Sequence, residues 1–122
     1  MFDTLNEQEF DGKVKARITW GRMPSRKSRR MRRSIRFGSY MRSQDIIRIH
    51  PLLDQQFVPD YFVRYIVFHE MLHAALDEEK TESGRRRVHS KTFNDREQQY
   101  TDFERAEAWQ NNDVNLVRLL RG

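Results

Sequence analysis

The chain has 122 residues, 37% of them hydrophobic and none cysteine, which suits one domain with one modest core and excludes disulfides, thiolate zinc ribbons and cysteine nucleophiles. Charged residues make up 34% and the formal net charge is +5, but the cations cluster: residues 26–42 hold eight Lys or Arg and no acid. With no run of about 18 apolar residues and no basic-then-apolar leader, a soluble cytoplasmic or nucleoid-associated protein is expected, with no membrane attachment and a polyanionic partner such as DNA.

In chain order, residues 5–10 read as the tail of a short helix stopped near Gly12. Residues 13–20 alternate Val14, Ala16, Ile18 and Trp20 against Lys13, Lys15, Arg17 and Thr19, the period of a half-buried strand. Gly21 and Pro24 mark a turn. Beyond it, residues 29–39 are expected to form a second strand with Met31, Ile35 and Phe37 inward, which puts Arg30, Arg32 and Arg36 together on the opposite face. Residues 45–51 give a third short strand ended by Pro51. Pro59 then opens a helix over 59–77, residues 90–100 a second with Ser90 as N-cap, and Thr101 with Glu104 has capping-box spacing for a third. Strands followed by helices imply an α+β domain over 1–122, a small antiparallel sheet of about three strands packed on helices.

The helix over 59–77 is apolar nearly all round, as a buried helix is, yet carries His69, Glu70 and His73. Histidines four residues apart share one face, about 40° from each other at ~100° per residue. Three buried polar groups on one side would each cost about 1 to 3 kcal/mol if unpaired, so they imply a shared partner. HExxH is the spacing at which two imidazoles bind zinc and the glutamate serves as general base toward a water that the metal acidifies. Zinc needs a third protein ligand. His89, after a Gly-containing basic loop, is the leading candidate; Glu97 is a weaker one, and His50, before Pro51, is better suited to closing a turn.

The segments "VFHEMLHAAL" and "HSKTF", in that order, resemble the SprT-like zinc metallopeptidases and are similar also to the YgjP-like group. "EFDGKVKARITWG", the basic stretch after it, "IIRIHPLLD" and "YTDFERAEAW" extend the resemblance over most of the chain. It implies a zincin-like fold, one zinc ion held by His69, His73 and His89, and Glu70 as general base. It also implies that an extended protein or peptide substrate adds to the edge strand of the sheet. The chain departs from larger members in carrying no cysteine-rich ribbon and in starting almost at the first strand, with little room for an N-terminal helix.

The expected activity is therefore zinc-dependent endopeptidase hydrolysis by a monomer, with proteins bound to DNA as a substrate class. Arg30, Arg32 and Arg36, with Arg85, Arg86 and Arg87 near the third ligand, are candidate phosphate contacts, and Trp20, Phe37 and Tyr40 are candidate stacking surfaces, though a core position is the stronger expectation for Trp20 and Phe37. Tyr100, Arg87 and Tyr65 are candidate oxyanion donors, and Asp77 and Glu97 candidate carboxylates behind the imidazoles. The alternatives are a nucleic-acid-binding module with a structural zinc and a zinc hydrolase acting on a small amide or on RNA.

Overall fold

The computed structural model describes residues 1–76 and 90–121, together with the backbone of 79–80 and 86–87. Phe2–Phe10 form α1, which stops where Asp11 (φ 52°) and Gly12 (φ 71°) turn left-handed. The Asn6 side chain fixes the chain beyond, donating through Nδ2 to Val14 O (2.9 Å) and accepting from Val14 N (3.0 Å). An N-terminal helix is thus present where little room was expected. Val14 and Ala16 are buried ahead of β1, which is only Arg17–Trp20. Trp20 is 48% exposed and not a core residue.

The largest correction falls on the basic segment. Arg26–Met31 form a short helix, α2, rather than a strand, and Met31 is 76% exposed. The local physics favours this. Arg, Lys and Met are strong helix formers, no β-branched residue interrupts them, and Ser25 Oγ caps the helix by accepting from Ser28 N at 3.1 Å. Arg30, Arg32 and Arg36 consequently share no sheet face: Arg30 is on α2, Arg32 follows its end, and Arg36 precedes the next strand.

That strand is β2, Gly38–Met41, and it forms a hairpin with β3, Ile46–Ile49. Tyr40 donates from its hydroxyl to Asp45 Oδ1 (2.7 Å), where Asp45 takes φ 50° in the turn. β3 is central, in the order β1-β3-β2, with β2 antiparallel to it and β1 parallel. The sheet is therefore mixed, not antiparallel, because the α2-containing connection carries the chain across β3 instead of folding β1 back on β2. Ile47 and Ile49 of β3 are buried against the helical layer.

Asp60–Ala75 form α3, whose Phe62, Ile66, Val67, Phe68, Met71 and Leu72 are buried at the centre of the core. β2, β3, α1, α4 (Lys91–Gln98) and α5 (Phe103–Gln110) all pack on it. Ser90 caps α4 as expected, its Oγ accepting from Phe93 N at 3.1 Å. The expected Thr101–Glu104 box does not form; Asp102 is the N-cap of α5, and its carboxylate bonds Arg105 (2.8 Å) and lies 3.7 Å from Arg64. A sixth helix, α6 (Asp113–Arg121), buries Leu119 and packs on α5 and α2. Glu79–Lys80 and Arg86–Arg87 pair as two-residue antiparallel strands, β4 and β5. Among the described residues no helix is long and apolar enough to cross a membrane.

Candidate metal centre

His69, Glu70 and His73 lie on the face of α3 that borders a cleft of about 510 Å³. Their ligand atoms are all within 4.8 Å of one another. The two imidazole centroids are 5.0 Å apart with ring planes at 78°. Phe93 of α4 packs against both rings, at 5.1 Å from His69 and 4.5 Å from His73. The Ser90 cap sets the start of α4, so it also sets the position of this aromatic support.

Glu97, one turn further along α4, places a carboxylate oxygen on His69 Nδ1 and accepts a hydrogen bond from the Tyr65 hydroxyl. An ionised carboxylate can only accept, so Nδ1 carries the proton and Nε2 is the lone-pair atom of the ring. Burial, with the negative charge of Glu97 beside it, pushes the Tyr65 hydroxyl up and keeps it a donor. Glu97 thus acts as the carboxylate behind an imidazole that its sequence position allowed. Asp77, the other carboxylate considered, and His89, the third-ligand candidate, lie outside the described residues, as does Arg85; of Arg86 and Arg87 only the backbone is described. His50 is not in this cleft. It ends β3, and its Nδ1 accepts from Leu52 N at 3.1 Å to cap the 3-10 turn Pro51–Leu53, the turn-closing role expected of it.

Glu70 is 5% exposed. Burial pushes its carboxyl up from the ordinary range, opposed by the neighbouring His69 ring and the Arg36 charge and reinforced by Glu97. A carboxylate raised toward neutrality is a better proton acceptor, as a general base requires. Gly38, the first residue of β2, fits against it: a Cβ there would lie 3.0 Å from Glu70 Cγ and Oε2 and 3.1 Å from Ile66 Cγ2. The absence of a side chain at residue 38 is what lets the strand pass over the carboxylate.

Two residues beside Glu70 were not read as neighbours of it from the sequence. Gly38 was one; the other is Arg36, which lines the cleft with Ile35 and Phe37. Reading Arg36 as one of three arginines on a strand face hid this, because the helix α2 ends before it. Of the oxyanion donors considered, Tyr65 lines the cleft with its hydroxyl committed to Glu97. Tyr100 does not line it; its ring stacks on Phe68 at 4.3 Å in the core, where burial beside Asp102 pushes its hydroxyl up to about 12. Phe37 is also a core contact, edge-on to Phe62 at 5.2 Å.

Two imidazoles and a carboxylate, one imidazole oriented by a second carboxylate, make a donor set that suits zinc. A family model described as SprT-like matches residues 1–112. Comparisons with curated proteins and with solved structures found no match.

Proposed function

The chain belongs to the SprT-like family, and on that premise we propose that it is a zinc-dependent metallopeptidase cutting extended polypeptide segments. The observation that carries this reading is the grouping of His69, Glu70 and His73 within 4.8 Å on a buried helix beside a cleft. His69 and His73 would hold the ion, with His89 as third ligand immediately before the Ser90 cap. Zinc held there would supply Lewis-acid polarisation of the scissile carbonyl and acidify water. Glu70 takes the proton from the attacking water as the new C–O bond forms, then delivers it to the leaving amine as the C–N bond breaks. Glu97 holds His69 in one tautomer, and Arg36, already within the field of Glu70, is the cation best located to stabilise developing negative charge on the substrate. The outer edge of β2 is unpaired among the described residues, and the chain entering it, 35–38, lines the cleft. Both features suit a substrate added as a further strand.

The test is zinc content by elemental mass spectrometry, with cleavage of an unstructured protein measured in parallel. About one zinc per chain, lost in His89→Ala, with cleavage abolished in Glu70→Gln, is the expected outcome. Zinc retained in Glu70→Gln with no cleavage in the parent would replace the peptidase by a binding module with a structural metal. Zinc retained in His89→Ala would move the third ligand to Glu97.

A further inference from the structure

β1 is the edge of the sheet away from β2, and all four of its residues are exposed. Arg17 N and Gly21 N donate to Asp45 O (3.0 Å) and Ile49 O (2.8 Å), so the odd-numbered residues turn their backbone groups toward β3. Alternate residues of a strand point these groups to opposite sides, which leaves those of Ile18 and Trp20 aimed outward, without a partner among the described residues. The side chains of the same two residues face the helical layer, because they pair in register with Ile47 and Ile49, which are buried there. Unlike that pair they are left uncovered: Ile18 is 38% exposed and Trp20 48%. With Phe2, Ile49, Val63 and Val67 they line an apolar cavity of about 470 Å³. The hydrophobic layer under the sheet is thus open at this edge, where one more strand would close it.

The other face of the same edge is basic. Lys15 and Arg17 are exposed and alternate with Ile18 and Trp20, and Arg48 of β3 pairs in register with Thr19. Among the described residues none of these three cations is in an ion pair. Two copies joined antiparallel through β1 would lay Lys15 and Arg17 of one against the same residues of the other. Like charges set opposite each other destabilise a ladder, and basic side chains on an edge guard against such self-pairing. A nucleic acid would match the charge but brings no strand to complete the ladder. A polypeptide whose residues alternate meets all three features, with apolar side chains turned into the cavity and carboxylates over the cations.

We propose that the free edge of β1 is a docking site for an acidic, extended segment of another protein, which adds to the sheet as a fourth strand. Its main chain pairs with Ile18 and Trp20, its apolar side chains enter the cavity beside Val63 and Val67, and its carboxylates lie over Lys15, Arg17 and Arg48. Main-chain bonds supply the affinity in this mode, and alternate side chains the specificity. The sheet order becomes partner-β1-β3-β2, so β1 and β3 separate the docked segment from β2 and the metal-centre cleft beyond it. The segment is held and not cut. The site therefore stands apart from the peptidase reading and survives if that reading fails.

The probe is a labelled peptide of about ten residues alternating Glu with Val, capped at both ends. It is titrated into the full chain carrying Glu70→Gln, so that hydrolysis plays no part. A saturable rise in anisotropy is expected, with amide hydrogen exchange slowed about tenfold or more at Ile18 and Trp20 and little changed at Arg17. Trp20→Ala is expected to weaken binding about tenfold. Lys15→Gln with Arg17→Gln should weaken it severalfold, a difference that fades in high salt. The same peptide with Lys in place of Glu, or N-methylated on the residues that face β1, is expected to bind about tenfold more weakly or not at all. These two peptides leave the protein unchanged, so their outcome stands even where Trp20→Ala lowers the melt. No saturation by about 1 mM, equal binding of the Glu and Lys peptides, or unslowed exchange at Ile18 and Trp20 would overturn the proposal. So would a mass that doubles with protein concentration and falls back in Trp20→Ala, which would give the edge to a second copy. Displacement of the peptide by a DNA duplex at matched ionic strength would give it instead to a polyanion.

Discussion

At Gly38 a methyl group would press on Glu70 Oε2 and Cγ at 3.0 Å, and Ile66 at 3.1 Å leaves the carboxylate little room to retreat within the core. Gly38→Ala is therefore expected to retain zinc while lowering cleavage on the order of tenfold to a hundredfold, because a displaced base loses its geometry before the imidazoles lose theirs. Zinc content and kcat measured on the same sample check this, and unchanged kcat would show that Glu70 is not positioned by the strand. Glu97 acts on the other partner. Glu97→Gln keeps the shape but replaces the charged acceptor on His69 Nδ1, and zinc affinity is expected to fall about 10- to 100-fold in competition with a chelating dye. At this scale His69, Glu70 and His73 were legible from spacing alone. Gly38, Arg36 and the pairing of Glu97 with His69 were not, since each depends on where a distant segment is laid against α3.

Among the elements, α4 links a local signal to the site. Ser90→Ala removes the acceptor for Phe93 N, and an N-cap loss of this kind costs about 1 kcal/mol. Because α4 carries Phe93 and Glu97, the variant should melt a few degrees lower and bind zinc more weakly, whereas a lower melt with unchanged zinc affinity would separate the cap from the site. The 3-10 turn after β3 supplies a pH dependence. Burial, then the charge of Arg32, lowers the pKa of His50 below 6.5 in the fold, and its Nδ1 must stay unprotonated to accept from Leu52 N. The unfolded chain thus binds more protons than the fold below that value, so stability is full above about pH 6.5 and is lost as pH falls toward the folded-state pKa. His50→Asn keeps an acceptor that does not titrate. Melts from pH 7.5 down to about 5 should steepen for the parent relative to the variant, and parallel curves would remove His50 as the cause. The contrast between α3 and α2 shows what made elements readable. Sixteen residues that are apolar nearly all round identify α3, while a six-residue helix with four basic residues, a cap and no buried face leaves α2 without a pattern to read.

On the scale of the whole molecule, β2, the cleft wall 35–38, α3, α4 and α5 meet around one centre, and a metal bound there would join elements that otherwise meet through side-chain packing. Zinc that binds only the folded state stabilises it by mass action, about 2.7 kcal/mol at a hundred times Kd. Chelation is expected to lower Tm and to restore it on adding zinc; identical melts with and without chelator would mean that the folded chain holds no ion.

The sequence by itself determined the α+β order of strands then helices, the buried α3 helix and the imidazole–carboxylate group upon it. These are short-range properties, written in apolar runs, caps and an i, i+4 spacing. Tertiary structure alone decided that β1 runs parallel to β3, that Glu97 meets His69 across 28 residues of chain, and that Arg36 lines the cleft beside Glu70. Those outcomes follow from how α2 carries the chain over the sheet and how α4 and α5 pack back on α3. Contacts of that kind are fixed by the shape of the shared core, which no local period records.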